Sequence, residues 1–160
     1  MAEQDSSAGR SLFYTYTFAL DTTTAQSFTV TIDEDTLLAV DPIPASLPDW
    51  TRLDVSKCSN CPLDTGTHPH CPAAVRLIDI IDFFRDSISW EEADITVETN
   101  ARTYTKRTSL QQGISSLMGL RMATSDCPIL NKLRSMARFH LPFSDPEETP
   151  YRVGNEPSSM

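Results

Sequence analysis

Between Leu12 and Leu20 every second residue is large and apolar: Leu12, Tyr14, Tyr16, Phe18 and Leu20, with threonine at 15 and 17. A period of two built from aromatic and β-branched residues specifies a half-buried strand, because successive side chains leave opposite faces of a pleated chain. Phe13 interrupts the polar side without breaking the period. Asp21 to Gln26 is a polar turn, and Phe28, Val30 and Ile32 then alternate again. The simplest arrangement is an antiparallel hairpin. Asp33-Glu34-Asp35 makes a further turn, and Thr36 to Val40 reads as a third short strand.

A sheet with one apolar face needs a covering layer, and the rest of the chain supplies it. Asp41 to Pro48 carries three prolines and is a stiff connector, since proline lacks the N–H and fixes φ. Trp50 to Val55 reads as one more short strand. Pro72 suits a first helical position, and Ala74, Leu77, Ile78, Ile81, Phe84 and Ile88 form the stripe of a helix over 73–87. Ile95 and Val97, then Tyr104, mark a second hairpin turning at Asn100. Ser109 is placed to cap a helix running to Met122. Gly113 and Gly119 lower its propensity but admit a close neighbour. Ser125-Asp126-Cys127-Pro128 opens another helix with Leu130, Leu133, Met136 and Ala137 inward. The expected class is α+β: antiparallel hairpins packed on about three helices in one domain over 11–143. Residues 1–10 read as a disordered leader and 144–160 as an extended polar tail.

The chain has 160 residues, 39% hydrophobic and 22% charged, enough for a real core. No run of about 18 apolar residues offers a spanning helix, and the polar start has no secretory h-region. A cytoplasmic location is the default expectation. The net charge of −9 disfavours nucleic acid and anionic membrane as partners. That leaves a protein partner or self-association. Seven basic residues fall between Arg102 and Arg138, opposed there by Asp126 alone. They are a solvated face or a site for an acidic partner or segment.

The strongest chemical signal lies between residues 58 and 71. Cys58, Cys61, His68, His70 and Cys71 are borderline or soft metal ligands, and Cys58-x-x-Cys61 is a common way to present two thiolates to one ion. Without a secretory signal, four cysteines argue for metal or redox use over a disulfide framework. Cys71 and Cys127 both precede a proline at an expected helix start, where the dipole favours the thiolate. The expected set is therefore Cys58, Cys61, Cys71 and Cys127 around a structural zinc. His68, His70 and His140 are alternative ligands. His70 adjoins Cys71, and neighbours rarely share an ion without strain.

Several motifs together resemble a family of uncharacterised bacterial proteins. They are Cys58-x-x-Cys61-Pro-Leu, Cys71-Pro-Ala-Ala, Arg102-x-Tyr104, Gln112-Gly113, Ser116 to Ala123, Cys127-Pro-x-Leu130 and Phe139-His-Leu-Pro-Phe143. The resemblance spans roughly residues 12 to 152 and implies no reaction. It implies that members run on into further helices, so that this chain lacks a C-terminal helical part.

Three functions fit the residues. The first is a zinc-stabilised interaction or regulatory module without defined catalysis, since no phosphate loop, nucleophile elbow or zincin motif occurs. The second is a thiol-based redox sensor or enzyme using Cys58 or Cys61, with His68 or His140 as base. The third is a small anionic-ligand binder in which Arg102, Arg107 and Tyr104 face a pocket between hairpin and helices.

Overall fold

The alternating segments form one antiparallel sheet. In the computed structural model, which describes residues 10–55, 57–87 and 90–143, β1 (Ser11–Ala19) pairs with β2 (Ala25–Asp33) from Ser11↔Asp33 to Ala19↔Ala25. The second hairpin joins β3 (Glu92–Thr99) to β4 (Thr103–Ser109). The strand order is β2-β1-β3-β4, so the hairpins meet through β1 and β3. The expected leader (save Arg10), Ile88 of the expected stripe and the 144–160 tail lie outside the described residues.

The period of two sorts the faces. Tyr14, Tyr16, Phe18, Phe28, Val30, Ile32, Ala93, Ile95 and Val97 are all buried on one side. The other side carries threonines, with Thr15 bonded to Thr29 (3.1 Å) and Thr17 to Ser27 (2.8 Å) across β1 and β2. Threonine suits such a face because its branched side chain packs on the pleat while its hydroxyl stays wet.

Three α-helices cover the apolar side: α1 (Pro72–Val75), α2 (Ile78–Phe84) and α3 (Leu110–Ala123). Phe84 of α2 meets Phe18 edge-on at 5.0 Å and Phe28 at 5.6 Å. The Ser109 hydroxyl caps α3 by accepting from the Gln112 N–H at 3.3 Å, as its position predicts. Among the described residues, no helix is long and apolar enough to cross a membrane.

The elements differ from expectation in four places. The single helix expected over 73–87 is broken at Arg76–Leu77, where Arg76 N–H and Leu77 N–H reach carbonyls three residues back. Residues 36–40 are not a strand. Ala39 makes one bridge to Ile32 and then donates its N–H to the Thr124 carbonyl at the end of α3. Residues 50–55 are not a strand either. Asp49–Thr51 is a 3-10 turn, and Arg52 makes one bridge to His70. The last helix begins later and winds tighter than expected, as a 3-10 helix over Leu130–Phe139. Such runs seldom exceed about four residues on their own; this one is held from outside, by the Tyr14 hydroxyl on the Ala137 carbonyl (2.8 Å).

Candidate functional site

Two phenols point into an otherwise apolar layer, and each needs a polar partner. Tyr14 finds Ala137. Tyr16, wholly buried on β1, places its hydroxyl 2.5 Å from Nε2 of His140 and 2.8 Å from the Ser116 hydroxyl of α3. Burial pushes the Tyr16 phenol far above its ordinary value, against the pull of the Ser116 hydrogen bond, so it remains a proton donor at neutral pH. Phe143 closes the group. Its backbone turns left-handed (φ 63°), and its N–H reaches the Ser116 oxygen at 3.4 Å. The Tyr14 ring also meets the His140 ring edge-on at 5.2 Å. The His-Leu-Pro-Phe stretch is thereby fixed across the end of the sheet.

His140 forms part of the wall of a cavity of about 390 Å³. The tight turn between β3 and β4 lines another side, closed by the Thr99 N–H on the Arg102 carbonyl (2.9 Å). Asn100 in that turn accepts from the Phe13 N–H (2.9 Å) and donates to the Ser11 carbonyl (3.2 Å), which locks the turn onto β1. Arg102, Tyr104 and Arg138 also face the cavity, among Leu12, Tyr14 and Leu141. Arg138 is partly spent, on the Glu34 carbonyl (2.6 Å) and carboxylate (3.5 Å). Arg102 makes no ion pair among the described residues. An arginine, a tyrosine and a histidine thus line one partly apolar hollow.

Arg107 does not join them. It sits three residues beyond Tyr104, which puts it on the opposite face, where it pairs with Glu92 (3.5 Å) and Asp94 (3.2 Å). Arg121 is buried and bonds the Asp79 carboxylate, the Arg76 carbonyl and the Thr29 carbonyl. The basic run between 102 and 138 is therefore dispersed over both faces and the interior.

The thiols and imidazoles of 58–71 occupy a loop with a closed neck. Leu53 N–H bonds the Pro69 carbonyl (2.9 Å) and Cys71 N–H the Thr51 carbonyl (2.8 Å). Within the loop, the Cys61 N–H bonds the Cys58 carbonyl at 3.0 Å, a turn that holds these two residues close together. Cys58 is exposed, Cys61 and Cys71 are half-buried, and Cys127 is buried. Cys71 caps α1, but Cys127 stands before Ile129, the cap of the 3-10 helix, so it lacks the helix-start position expected of it.

The histidines of the loop differ in availability. The Thr51 hydroxyl gives its proton to the Pro48 carbonyl (2.6 Å), so the 2.8 Å contact with His70 Nδ1 must have the imidazole as donor. That tautomer leaves the Nε2 lone pair of His70 for a ligand. His68 Nδ1 contacts the Thr67 hydroxyl at 3.1 Å. Among the described residues, no three or more His, Cys, Asp or Glu side chains are grouped to hold one ion. Neither Cys58 nor Cys61 hydrogen-bonds to His68.

Residues 13–155 match a family model described as Domain of unknown function (DUF6901). That match takes in most of the chain. The chain belongs to this family. No curated protein and no solved structure matches it. Apart from Ser11 and Leu12 of β1, the DUF6901 match covers both hairpins, α1 to α3 and the His-Leu-Pro-Phe segment, so the cysteine loop and all of the cavity wall but Leu12 lie inside the family's domain. Sequence reasoning missed Tyr16, Ser116 and Arg138 as site residues. The signal was present at Tyr14 and Tyr16, since phenols at core-facing strand positions require polar partners.

Proposed function

We propose that this DUF6901 domain is a binding module for a small amphipathic anion, a carboxylate or phosphate attached to an apolar or aromatic body. The observation that carries the reading is Arg102, which lines the 390 Å³ cavity and makes no ion pair among the described residues. A guanidinium fork matches a carboxylate or phosphate edge, Tyr104 adds a phenol at the wall, and Leu12, Tyr14 and Leu141 suit an apolar body. Calorimetric titration with phenyl phosphate and benzoate tests it. Both should bind, and Arg102→Gln should weaken binding by about tenfold to a hundredfold, the worth of a charge-assisted hydrogen bond. Equal affinity in wild type and variant would remove the proposal.

A second reading keeps a zinc at the cysteine loop, in an interaction or regulatory role. The closed Cys58–Cys61 turn supports it, as do the Nε2 lone pair of His70 and the place of Cys71 at the neck. Cys127 is the candidate thiol outside the loop. The zinc content of protein purified without added metal tests it.

A further inference from the structure

We infer that a second small-molecule site lies between the 39–44 connector, β2 and the α1–α2 break, and that it takes a carboxylate with a short aliphatic body, held by Arg76. The cavity there measures about 230 Å³. An apolar cavity of about 150 Å³ accommodates benzene, so this one has room for a carboxylate and about five carbons. It is separate from the cavity of Arg102, and no residue lines both.

The cation is placed by the fold itself. The break at Arg76–Leu77 turns the Arg76 side chain toward the connector, where it donates to the Asp41 carbonyl (2.6 Å) and the Ala39 carbonyl (3.0 Å). Both acceptors are neutral. These bonds leave the Nε–H and a second hydrogen on each terminal nitrogen for a ligand. Arg76 is half-buried and forms no ion pair among the described residues. Burial and the neighbouring Arg121 both disfavour its charge, while the Asp41 charge favours it. A ligand carboxylate would supply the missing counter-charge.

The two carboxylates on the cavity wall have other work. Asp79 receives Arg121, and Asp41 accepts the Thr31 N–H at 2.8 Å. Each is held facing a donor of the fold, which leaves Arg76 as the cation here without a carboxylate of its own. The rest of the wall is mostly apolar, with Pro42, Ile43, Val75 and Ile78 beside Ser27 and Thr29, and Ile43 is exposed at the rim. Mostly aliphatic walls around the one guanidinium without a carboxylate partner select a chain that ends in an acid over a sugar or nucleotide.

The test is a titration of 15N-labelled protein with 4-methylpentanoate, alongside the neutral 4-methylpentanamide. The acid should saturate shifts at residues of the 39–44 connector and α1, and the amide should bind about tenfold more weakly or worse, because it lacks the charge-assisted bond. Arg76→Gln should lose affinity to the same degree. Since Arg76 also fastens the connector, Ile43→Asp serves as a second variant: Ile43 is exposed and outside the buried cluster, and the new carboxylate should repel the acid. In Arg102→Gln the shifts of the 39–44 connector and α1 should saturate at the wild-type concentration, even where shifts around the Arg102 cavity are lost, which separates this site from the proposed function. Absence of saturable shifts at the connector and α1, equal effects of acid and amide there, unchanged affinity there in Ile43→Asp, or loss of those shifts in Arg102→Gln would each overturn the assignment.

Discussion

Gly113 is where α3 touches the sheet. A Cβ built there would collide with Cδ1 of Ile95 and stand 2.9 Å from Cε1 of Phe18, and both side chains are wholly buried. Neither can retreat without disturbing the core. Gly119, on the same helix, has nothing within 4 Å. The pair separates packing from propensity. Gly113→Ala gains about 1 kcal/mol of helix propensity but incurs overpacking of about 1–3 kcal/mol, so a net loss of about 1 kcal/mol is expected. Gly119→Ala takes the propensity gain alone and should stabilise by up to about 1 kcal/mol. Urea unfolding of both variants checks this; the same sign of change in both would contradict it. Both glycines are visible in the sequence as weak points of one helix. Which of them meets a neighbour is not, because that depends on the distance to a strand that the helical period does not encode. Arg107 teaches the converse. Its exclusion from the Arg102 cavity was legible, since positions 104 and 107 have opposite parity in a strand and cannot share a face.

The elements that were read correctly are those whose signal is local. β1 and β2 follow from their alternation, the second hairpin from its apolar pattern about Asn100, and α3 from the Ser109 cap. The misread elements answer to partners far along the chain. The helix over 73–87 breaks where Arg76 reaches two carbonyls of the connector, and residues 36–40 leave the sheet to meet the end of α3. Turns with their own hydrogen bonds make a sharper prediction. Asp21 accepts from the N–H groups of Thr23 (2.7 Å) and Thr24 (2.6 Å), and Asp33 from those of Asp35 and Thr36 (both 2.9 Å). These bonds hold both carboxyls below their ordinary value of 3.8, led by the Thr23 N–H for Asp21 and the Thr36 N–H for Asp33. A carboxyl depressed on folding stabilises the fold above its unfolded value, and that contribution fades as pH falls through the lower folded value. The wild-type melting temperature should therefore drop as pH is lowered below 3.8. The Asp21→Asn, Asp33→Asn double variant retains an acceptor oxygen at each turn but cannot titrate, so its curve should be flatter in that range. Parallel curves for the two proteins would rule the turns out as the source.

For the whole molecule, the question is whether a metal would hold the fold or only its loop. The core is built without the cysteine loop: among the described residues, sixteen buried ones from the strands, the helices, Leu77 and Ala137 form one cluster, and none of these comes from 54–71. The neck of the loop is closed by backbone bonds at Leu53 and Cys71, with Thr51 wholly buried beneath it. An ion at Cys58 and Cys61, completed from within the loop, would bind an unfolded chain almost as well as a folded one, because its ligands are neighbours in sequence. Ligands that bind both states leave global stability nearly unchanged. An ion that also takes Cys127 would be lost on unfolding, and at a hundredfold excess over its dissociation constant it would stabilise the fold by about 2.7 kcal/mol. The neck is closed by backbone bonds at Leu53 and Cys71 without help from Cys127, so the local case is the expectation under the zinc reading. Protein purified without added metal should carry close to stoichiometric zinc. Chelation should speed amide exchange across 57–71 while the melting temperature stays put. A fall of several degrees on chelation would show that Cys127 closes the site after all, and an absence of zinc would end the zinc reading while leaving both anion cavities to be judged on their own titrations.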